Sequence, residues 1–287
     1  MANVGAHLKK IVNQPENWDF SGARALYAGV DIGTYKAIVI VVDETGCPRA
    51  ARMKRTEVVR SGLIVDYAGA VATVKEMIES IRARSPLPIE KGATSYPPQT
   101  ENANIHATRY ILETLEIEVL QVLDEPTAAN QVLRLENGAI VDVGGGTTGI
   151  AVIQDGDIVY TNDEATGGVH LTLTLAGHYK IDYEAAEKIK INRKKQPEVI
   201  SIVRPVIEKI ASIAAEYLGK FDRLEKVCLV GGTTELAGFT RIFSQLTGQD
   251  AFRPSSPQFT TPLGIALSCL NEDQRQGTIP VRLKKAV

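Results

Sequence analysis

The sequence predicts a mixed α/β protein built from two similar halves, and two observations carry that prediction. Apolar strands alternate with amphipathic helical segments along the chain, as they do in α/β folds. One supersecondary unit also occurs twice, as GVDIGTYKAIVIVVDETG at residues 29–46 and as IVDVGGGTTGIAVIQDGD at residues 140–157. Each copy reads as strand, Asp, Gly-containing turn, strand and acidic-Gly turn, so Asp31 and Asp142 occupy equivalent places. A repeat of this kind suggests two α/β halves that face each other.

The glycines of the second copy fit a dinucleotide fingerprint, but the residues after them do not. Gly144, Gly146 and Gly149 match G-x-G-x-x-G, which binds a dinucleotide only between a strand and a helix. Here two β-branched runs flank Asp155-Gly156, a pattern that predicts a β-hairpin. Without a helix N-terminus the Rossmann interpretation is disfavoured. The backbone N–H groups of a Gly-rich turn can still cradle phosphate.

The remaining segments continue the alternation. Residues 37–42 are apolar throughout, as in a strand buried on both faces. The segment 67–85 has helical periodicity, with apolar residues at Val71, Val74, Ile78 and Ile81. Further helices are predicted over 101–115, 170–179, 182–195, 206–221 and about 262–271, and further strands over 118–123 and 226–230.

The bulk composition excludes several classes of protein. The 287 residues are 44% hydrophobic and 23% charged, as in globular proteins. A net charge of −2 favours neither nucleic acid nor an anionic membrane, and no apolar run has signal-peptide or membrane-spanning length. The three cysteines are far apart and the four histidines lack zinc-ligand spacing. We therefore expect a cytoplasmic protein with free thiols, no structural metal and no binding of nucleic acid or membrane.

The two turns of the repeat predict a phosphate clamp. Each turn supplies backbone N–H groups, and each follows a strand-end carboxylate, Asp31 or Asp142, that can hold Mg²⁺ through its water shell. Glu125, which lies between a strand and a helix begun at Pro126, is a candidate to orient an attacking water. Taken singly, each acid reads more simply as a helix cap or a turn former. The presence of two such turns is what favours the clamp.

Five motifs along the chain together resemble the nucleotide site of a known superfamily. DIGT, DEPTAAN, DVGGGTTGIAV, TGG and LVGGTTELAGF occur in that order, as in the actin, sugar kinase and seventy-kilodalton heat-shock proteins. Within this superfamily, VVRSGLIVDYAGAV, ATSYPPQT and DEATGGVHLTLTLAG closely resemble the EutJ family, the heat-shock-chaperone-like proteins of bacterial ethanolamine utilisation. The resemblance covers about residues 26–270. It implies an actin-like ATPase fold, with two ribonuclease-H-like halves around a nucleotide cleft and reduced outer lobes.

The resemblance also implies cofactors and residue roles. The cofactors are ATP or ADP with Mg²⁺. Asp31 and Asp142 would hold the waters of the metal, and Glu125 would lie near the attacking water, which makes these three the candidate catalytic residues. Glu187 and Lys190 resemble residues that contact ribose and adenine, although an ordinary surface ion pair is equally open. The other predicted nucleotide contacts are Gly33, Thr34, Tyr35, Lys36, Gly144, Gly145, Gly146, Thr147, Thr148, Gly167, Gly168, Gly231, Gly232 and Thr233.

Two features depart from the heat-shock relatives. Glu235 stands where they carry an arginine that stacks on adenine, and the phosphate-contacting lysine of their outer lobe has no clear counterpart here. No peptide-binding β-domain follows the nucleotide-binding module, so we do not expect a cycle on unfolded clients.

The functional expectation is a nucleotide-driven conformational switch. The resemblance implies a chaperone, or an assembly or reactivation factor, for the enzymes or shell proteins of the ethanolamine microcompartment, with slow ATP hydrolysis. A nucleotide-binding scaffold without turnover, an actin-like filament former and a small-molecule kinase are the alternatives. We expect cytoplasmic protein associated with the microcompartment.

The predicted domain organisation has three parts. Residues 1–25 form an N-terminal extension, residues 26–160 the first half and residues 161–287 the second half. The last helix, at about 262–271, is expected to pack back toward the first half.

Overall fold

The computed structural model describes residues 2–60, 62–221 and 224–275. They form two compact units. The first comprises the described residues up to Arg134 and from Phe259 onward, and the second is Leu135–Gln258. The predicted boundary at residue 160 therefore falls inside the second unit, because Tyr160 lies within a strand of that unit's sheet and pairs with Val152. Residues 276–287, which belong to the predicted second half, lie outside the described residues.

The first unit contains one mixed sheet, with strand order β3-β2-β1-β6-β7, and a short two-stranded hairpin, β4-β5. Its strands are β1 (Leu26–Ile32), β2 (Lys36–Asp43), β3 (Pro48–Arg55), β4 (Val59–Arg60), β5 (Leu63–Ile64), β6 (Lys91–Tyr96) and β7 (Glu118–Asp124). Its helices are α1 (Ala2–Ile11), α2 (Tyr67–Arg82), α3 (Asn102–Glu113), α4 (Glu125–Leu133) and α9 (Thr260–Arg275). The last helix among the described residues thus belongs to this unit.

The second unit contains a mixed sheet of strand order β10-β9-β8-β11-β12. Its strands are β8 (Gly138–Val143), β9 (Thr148–Gln154), β10 (Asp157–Glu164), β11 (Val227–Val230) and β12 (Ala251–Phe252). Its helices are α5 (Gly168–Tyr179), α6 (Tyr183–Ile191), α7 (Gln196–Leu218) and α8 (Phe239–Thr247). Short 3-10 turns lie at Pro15–Asn17 in the first unit and, in the second, at Arg193–Lys195 and Gly232–Glu235.

The two sheets have the same topology. In the first, β1 pairs antiparallel with β2 and parallel with β6, and in the second, β8 pairs antiparallel with β9 and parallel with β11. The outer strands follow the same rule, since β3 and β10 are antiparallel to their neighbours while β7 and β12 are parallel. The internal repeat seen in the sequence is therefore a repeat of the whole sheet.

Strand β2 is buried on both faces, as its unbroken apolar sequence predicts. One set of its side chains, exemplified by Val39, packs with α2, and the alternate set, exemplified by Ile40, packs with α1 and α9. Helix α2 follows the predicted periodicity and buries Val74, Ile78 and Ile81. The side-chain oxygen of Asp66 accepts the Gly69 N–H at 2.9 Å and caps its first turn.

The N-terminal segment packs against the first unit. Leu8 and Ile11 are 1% exposed and lie in the cluster that contains the alternate face of β2. His7 Nε2 donates to the Pro48 carbonyl at 2.9 Å, and Val12 forms a parallel bridge with Ala51 of β3. Helix α1 and the residues after it therefore cover the β3 edge of the sheet, which would otherwise be open to pairing.

Helix α7 differs from the sequence prediction. It begins at Gln196 and contains Pro205 as an interior residue, whereas the helix predicted from the sequence begins after that proline. Val199 and Val203 are both buried in the core of the second unit. Their apolar burial offsets the backbone hydrogen bond that Pro205 cannot donate.

Two further expectations concern the state of the cysteine thiols and the presence of a membrane-spanning helix. Cys47 is exposed, while Cys228 and Cys269 are buried, and none of the three forms a disulfide. Burial raises the pKa of the Cys228 thiol to about 12, which makes it unreactive. Within the described part of the chain, no helix combines the length and apolar character that crossing a membrane requires.

Candidate functional site

The first predicted phosphate turn joins β1 to β2. Asp31 is the last residue but one of β1 and pairs with Ile38. The Gly33 N–H donates to the Lys36 carbonyl at 3.0 Å and closes a tight turn over Thr34 and Tyr35. All these polar residues are half-buried, so they are accessible to a ligand while their backbone is held in place.

The hairpin β4-β5 lies against this turn. The Gly62 N–H is 3.5 Å from the Thr34 hydroxyl oxygen, and the Thr56 N–H donates to the Tyr35 carbonyl at 3.1 Å. The Arg55 guanidinium lies 5.2 Å from the centre of the Tyr35 ring, a cation–π distance. These supporting contacts could not be predicted from the sequence, because two-residue strands leave no periodic signal.

Glu125 lies at the same sheet edge as Asp31. It follows β7, which is parallel to β6, which in turn is parallel to β1, so all three strands end on one side. The cap of helix α4 is Asp124, whose carboxylate accepts the Thr127 N–H at 2.9 Å. Glu125 is therefore not the helix cap. Being half-buried in the first helical turn, it remains a candidate for contact with a ligand.

The second predicted turn, between β8 and β9, repeats the first in atomic detail. The Gly144 N–H donates to the Thr147 carbonyl at 3.0 Å, the same bond over the same number of residues as in the first turn. Asp142 is again the last residue but one of its strand and is 7% exposed. The fully buried Thr148 hydroxyl donates to the Thr166 carbonyl at 2.7 Å, and this bond ties β9 to the segment before α5.

The Gly167-Gly168 segment packs directly on the second turn. The Gly168 N–H donates to the Gly144 carbonyl at 3.0 Å, and the Val169 N–H donates to the Gly145 carbonyl at 2.8 Å. A Cβ atom at Gly167 would lie 2.8 Å from the Gly145 oxygen. Only glycine therefore allows this close approach. The N-terminus of α5 is held at the turn by these bonds.

The third predicted segment of this unit, Gly231 to Thr233, also meets the turn. The Thr233 hydroxyl donates to the Gly144 carbonyl at 2.7 Å. Gly231 has φ +85°, and a Cβ atom there would lie 2.4 Å from Asp142 Oδ1. Gly232 begins the 3-10 turn that ends at Glu235, whose buried Oε1 has no hydrogen-bond partner among the described residues. The segments Gly167-Gly168 and Gly231 to Thr233 thus both meet the turn at Gly144.

Glu187 and Lys190 are not an ordinary surface ion pair. Lys190 Nζ lies 2.7 Å from Glu187 Oε2, and the two side chains are 15% and 5% exposed. The same ammonium group donates to the Thr172 hydroxyl at 2.7 Å and to the Gly168 carbonyl at 3.1 Å. Burial lowers the pKa of Lys190, and the neighbouring Glu187 carboxylate opposes that shift. The pair therefore reaches from α6 to the start of α5, beside the predicted ribose segment.

Asp163 is a further candidate site residue, which the sequence motifs did not indicate. It lies on β10, and the Thr147 hydroxyl donates a hydrogen bond to its carboxylate. Burial raises the pKa of Asp163 to about 7, the charges of Asp142 and Glu164 add to that rise, and the Thr147 bond opposes it. The signal available in the sequence was the acidic pair Asp163-Glu164, which precedes the motif that begins at Thr166.

Comparison with known proteins identifies the family. The chain is 38% identical over 244 residues to the ethanolamine utilization protein EutJ of Escherichia coli strain K12, and the match covers 85% of this chain and 86% of that protein. The chain belongs to the EutJ family. The crystal structure of EutJ from Carboxydothermus hydrogenoformans superposes with a TM-score of 0.86 at 39% identity, covering 92% of this chain and 98% of that one.

More distant comparisons place the EutJ fold among the actin-like ATPases. A family model described as type IV pilus assembly protein PilM matches residues 110–252. The crystal structure of MreB5 of Spiroplasma citri bound to AMPPNP has a TM-score of 0.72 at 14% identity and covers 88% of this chain and 99% of that one. At that identity the likeness shows the fold alone, which is the actin-like ATPase fold expected from the sequence.

Proposed function

We propose that this EutJ-family protein binds ATP with Mg²⁺ and acts as a nucleotide-driven switch in ethanolamine utilisation. The observation that carries the proposal is the duplicated turn. The N–H to carbonyl bond from Gly33 to Lys36 recurs at 3.0 Å from Gly144 to Thr147, and each turn follows a strand-end aspartate. Backbone turns of this kind accept phosphate oxygens through their N–H groups. The AMPPNP held by the MreB5 neighbour supports the choice of a nucleoside triphosphate.

The donor atoms suit a hydrated magnesium ion. Asp31 and Asp142 offer hard carboxylate oxygens. Across the described residues, no three His, Cys, Asp or Glu side chains come close enough to hold a metal ion directly. This fits a cation that keeps most of its waters and takes its other ligands from phosphate. When bound, Mg²⁺ would neutralise charge on the phosphates.

The chain's own residues would contact the phosphates, the attacking water, the ribose and the base. The two turns position the phosphates, with Thr34, Tyr35 and Lys36 in the first and Gly145, Gly146 and Thr147 in the second. Glu125 would orient a water toward the terminal phosphate. Glu187 and Lys190 would contact the ribose and base, and Gly231 to Thr233 would line the adenosine.

The partners we propose are enzymes or shell proteins of the ethanolamine microcompartment. The family name supports the pathway, since both similar proteins above are called ethanolamine utilization proteins. Nucleotide binding and hydrolysis would favour different conformations of the protein, and a partner would sense the difference. The protein would act as a chaperone or as an assembly or reactivation factor in this role.

Calorimetry with ATP, ADP and AMPPNP, each with and without Mg²⁺, tests the proposal. We expect magnesium-dependent binding that is abolished in Asp142→Ala and unchanged in Asp157→Ala, whose side chain is exposed on β10. Unchanged affinity in Asp142→Ala would exclude the assigned site. Release of ADP over hours separates a slow ATPase from a scaffold that binds without turnover. Pelleting with and without ATP tests the filament alternative.

A further inference from the structure

A short basic segment joins α6 to α7 at the surface of the second unit. Lys188 lies in the last turn of α6, and Arg193, Lys194 and Lys195 form the 3-10 turn that follows this helix. All four of these side chains are exposed. Ile191, the last residue of α6, lies between them in sequence and is 62% exposed. We call these five residues the α6 basic surface.

The positive charge of this surface is not neutralised by nearby carboxylates. Among the residues that the structure describes, none of the four cations forms an ion pair, whereas Lys190 of the same helix is paired with Glu187. A segment of α-helix and 3-10 turn as short as this one extends over roughly 15 Å. Since the Debye length is about 8 Å at physiological salt, an approaching anion is attracted by several of these charges together.

The cations of the 3-10 turn are also unfavourable for the helix that follows them. Helix α7 begins at Gln196, and the N-terminus of a helix carries a partial positive charge that disfavours basic side chains. Lys195 is the N-cap of α7 and forms no side-chain capping bond, whereas Ser, Thr, Asp and Asn are the residues preferred at that position. Neither ion pairing nor helix stability accounts for these cations, which indicates a role in binding.

The charge and the apolar centre of the α6 basic surface favour an acidic protein segment as the ligand. Carboxylates complement the four cations, and Ile191 offers an apolar contact within a charged rim, as in protein interfaces. The chain as a whole carries −2, so +4 on this surface leaves −6 on the remaining residues. A long polyanion such as nucleic acid would be repelled by that remainder, whereas a short acidic segment contacts only the surface itself.

An anionic membrane is a poorer match for this surface. A helix that lies on a membrane needs a continuous apolar face. In α6, Ala186 is buried and Ile189 packs against the core of the second unit, so Ile191 is the large apolar residue that this helix exposes. One exposed side chain provides a contact for a partner protein but no face for insertion into lipid.

We propose that the α6 basic surface is a docking site for an acidic segment of a partner protein. Carboxylates of that segment pair with the four cations, and an apolar side chain of the segment contacts Ile191. This inference goes beyond the proposed function, because docking here does not require a bound nucleotide. It gives a chemical criterion for the partner, which must present a short run of Asp and Glu residues with an apolar residue within it.

Fluorescence anisotropy with a labelled peptide tests the inference in protein free of nucleotide. The probe is a short peptide of Asp and Glu residues with one central Leu. We expect saturable binding that weakens as the salt concentration rises. The triple variant Arg193→Ser, Lys194→Ser and Lys195→Ser should bind the peptide roughly tenfold or more weakly than the wild type.

A second triple variant controls for the change in net charge. Lys75→Ser, Lys209→Ser and Lys226→Ser remove three exposed cations that lie outside the α6 basic surface. This control should bind the peptide within about twofold of the wild type, since screening limits the reach of the removed charges. If both triple variants bind equally well, or if the wild type does not bind the peptide, the docking site is wrong while the proposed nucleotide site is unaffected.

The apolar contact has its own matched pair of variants. Ile191→Ser should weaken binding of the peptide several-fold, while Val159→Ser, at a residue of β10 that is 49% exposed, should leave it unchanged. Equal affinity of these two variants would show that Ile191 takes no part in docking, and the proposed contact would be wrong.

Competition with other polyanions tests the choice of partner. Single-stranded DNA and vesicles of phosphatidylcholine with phosphatidylserine should displace the peptide poorly. If either binds the wild type more tightly than the peptide does, and loses that binding in the Arg193→Ser, Lys194→Ser and Lys195→Ser variant, the ligand is not an acidic protein segment and the inference is overturned.

Thermal melting of the same triple variant separates binding from folding. It removes cations from the N-terminus of α7 and places Ser at the N-cap, so its melting temperature should be higher than that of the wild type. A lower melting temperature would show that the cations stabilise the fold, and the argument for a binding role would then fail.

Discussion

The Thr233 hydroxyl donates a 2.7 Å hydrogen bond to the backbone carbonyl of Gly144, a residue 89 positions earlier in the chain. The same carbonyl accepts the Gly168 N–H at 3.0 Å. One oxygen therefore joins three segments that are far apart in sequence, and its residue lies two positions after Asp142 of β8. The geometry of the second turn is set by its neighbours as much as by its own glycines.

Replacing Thr233 with Val should loosen this junction without dismantling it. The change keeps the shape of the side chain and removes one donor, while Gly168 still satisfies the carbonyl. We expect a loss of about 1 kcal/mol in the free energy of unfolding, measured by urea denaturation. Thr174→Val is the control, because the exposed Thr174 hydroxyl bonds only within its own helix. Equal stability of the two variants would contradict the prediction.

Glycine-to-alanine changes should have opposite effects at two positions of the second unit. At Gly231, a Cβ atom would lie 2.4 Å from the Val143 carbonyl oxygen and the residue has φ +85°, so Gly231→Ala should destabilise by about 1–3 kcal/mol or more. At Gly177, inside α5, a Cβ atom would meet nothing within 4 Å. Gly177→Ala should therefore raise the melting temperature. If Gly231→Ala is as stable as the wild type, the turn accommodates a Cβ atom without strain.

Removal of the Lys190 side-chain charge should be costly because its partner is buried. Lys190→Met leaves the Glu187 carboxylate without its ion pair, and breaking a buried pair costs about 3–5 kcal/mol. The matched control is Arg204→Met, which breaks the exposed pair with Glu208 and should cost less than about 1 kcal/mol. Both are measured by denaturant unfolding. The double change Glu187→Gln with Lys190→Met should recover part of the loss, and failure to recover would argue against the pair as its cause.

The raised pKa of Asp163 predicts a pH dependence of stability in protein free of nucleotide and metal. Because its folded-state pKa is about 7 against an ordinary 3.8, the folded protein holds this proton more tightly than the unfolded chain. Its contribution to stability is complete below the ordinary value and is lost as the pH rises through about 7, at up to about 1.4 kcal/mol per pH unit. The melting temperature of Asp163→Asn should therefore be higher than that of the wild type at pH 8 but not at pH 4.

Melting curves in EDTA across this pH range measure the effect. Asp157→Asn changes the same residue type on the same strand at an exposed position, and its difference from the wild type should stay flat with pH. If the melting-temperature difference between Asp163→Asn and the wild type is also independent of pH, burial does not raise the pKa of Asp163.

The repeat and its hairpins were predictable because they depend on local chemistry. Asp155 and Gly156 have φ values of 51° and 85°, so both central residues of the β9-β10 turn are left-handed, as the Asp-Gly pair indicates. The apolar run of β2 and the periodicity of α2 were equally informative. Each of these signals lies within one short segment of the chain, and together they were sufficient for the α/β class, for the two similar halves and for the place of the candidate turns.

Features that depend on distant packing were not predictable from the sequence. The start of α7 before Pro205 depends on the core that Val199 and Val203 fill. The packing of α1 depends on the open edge of β3. Neither this packing nor the early start of α7 was predicted. Asp163 was not predicted as a candidate site residue, because its position beside the second turn depends on the pairing of β10 with Gly149 of β9. The register of such a pairing cannot be read from one strand alone. The burial of Glu187 and Lys190 likewise needs two helices in contact.

The course of the chain through the two units has a consequence for biosynthesis. The second unit is one uninterrupted segment, while the first is completed only by α9, whose Ile265, Ala266 and Cys269 are buried in its core. A nascent chain leaving the ribosome can finish the later-coded unit while the earlier one still lacks its closing helix. A stalled ribosome or a premature stop near residue 258 would expose the apolar surface that α9 covers, and quality control would meet a half-finished protein whose defect lies in the part that was made first.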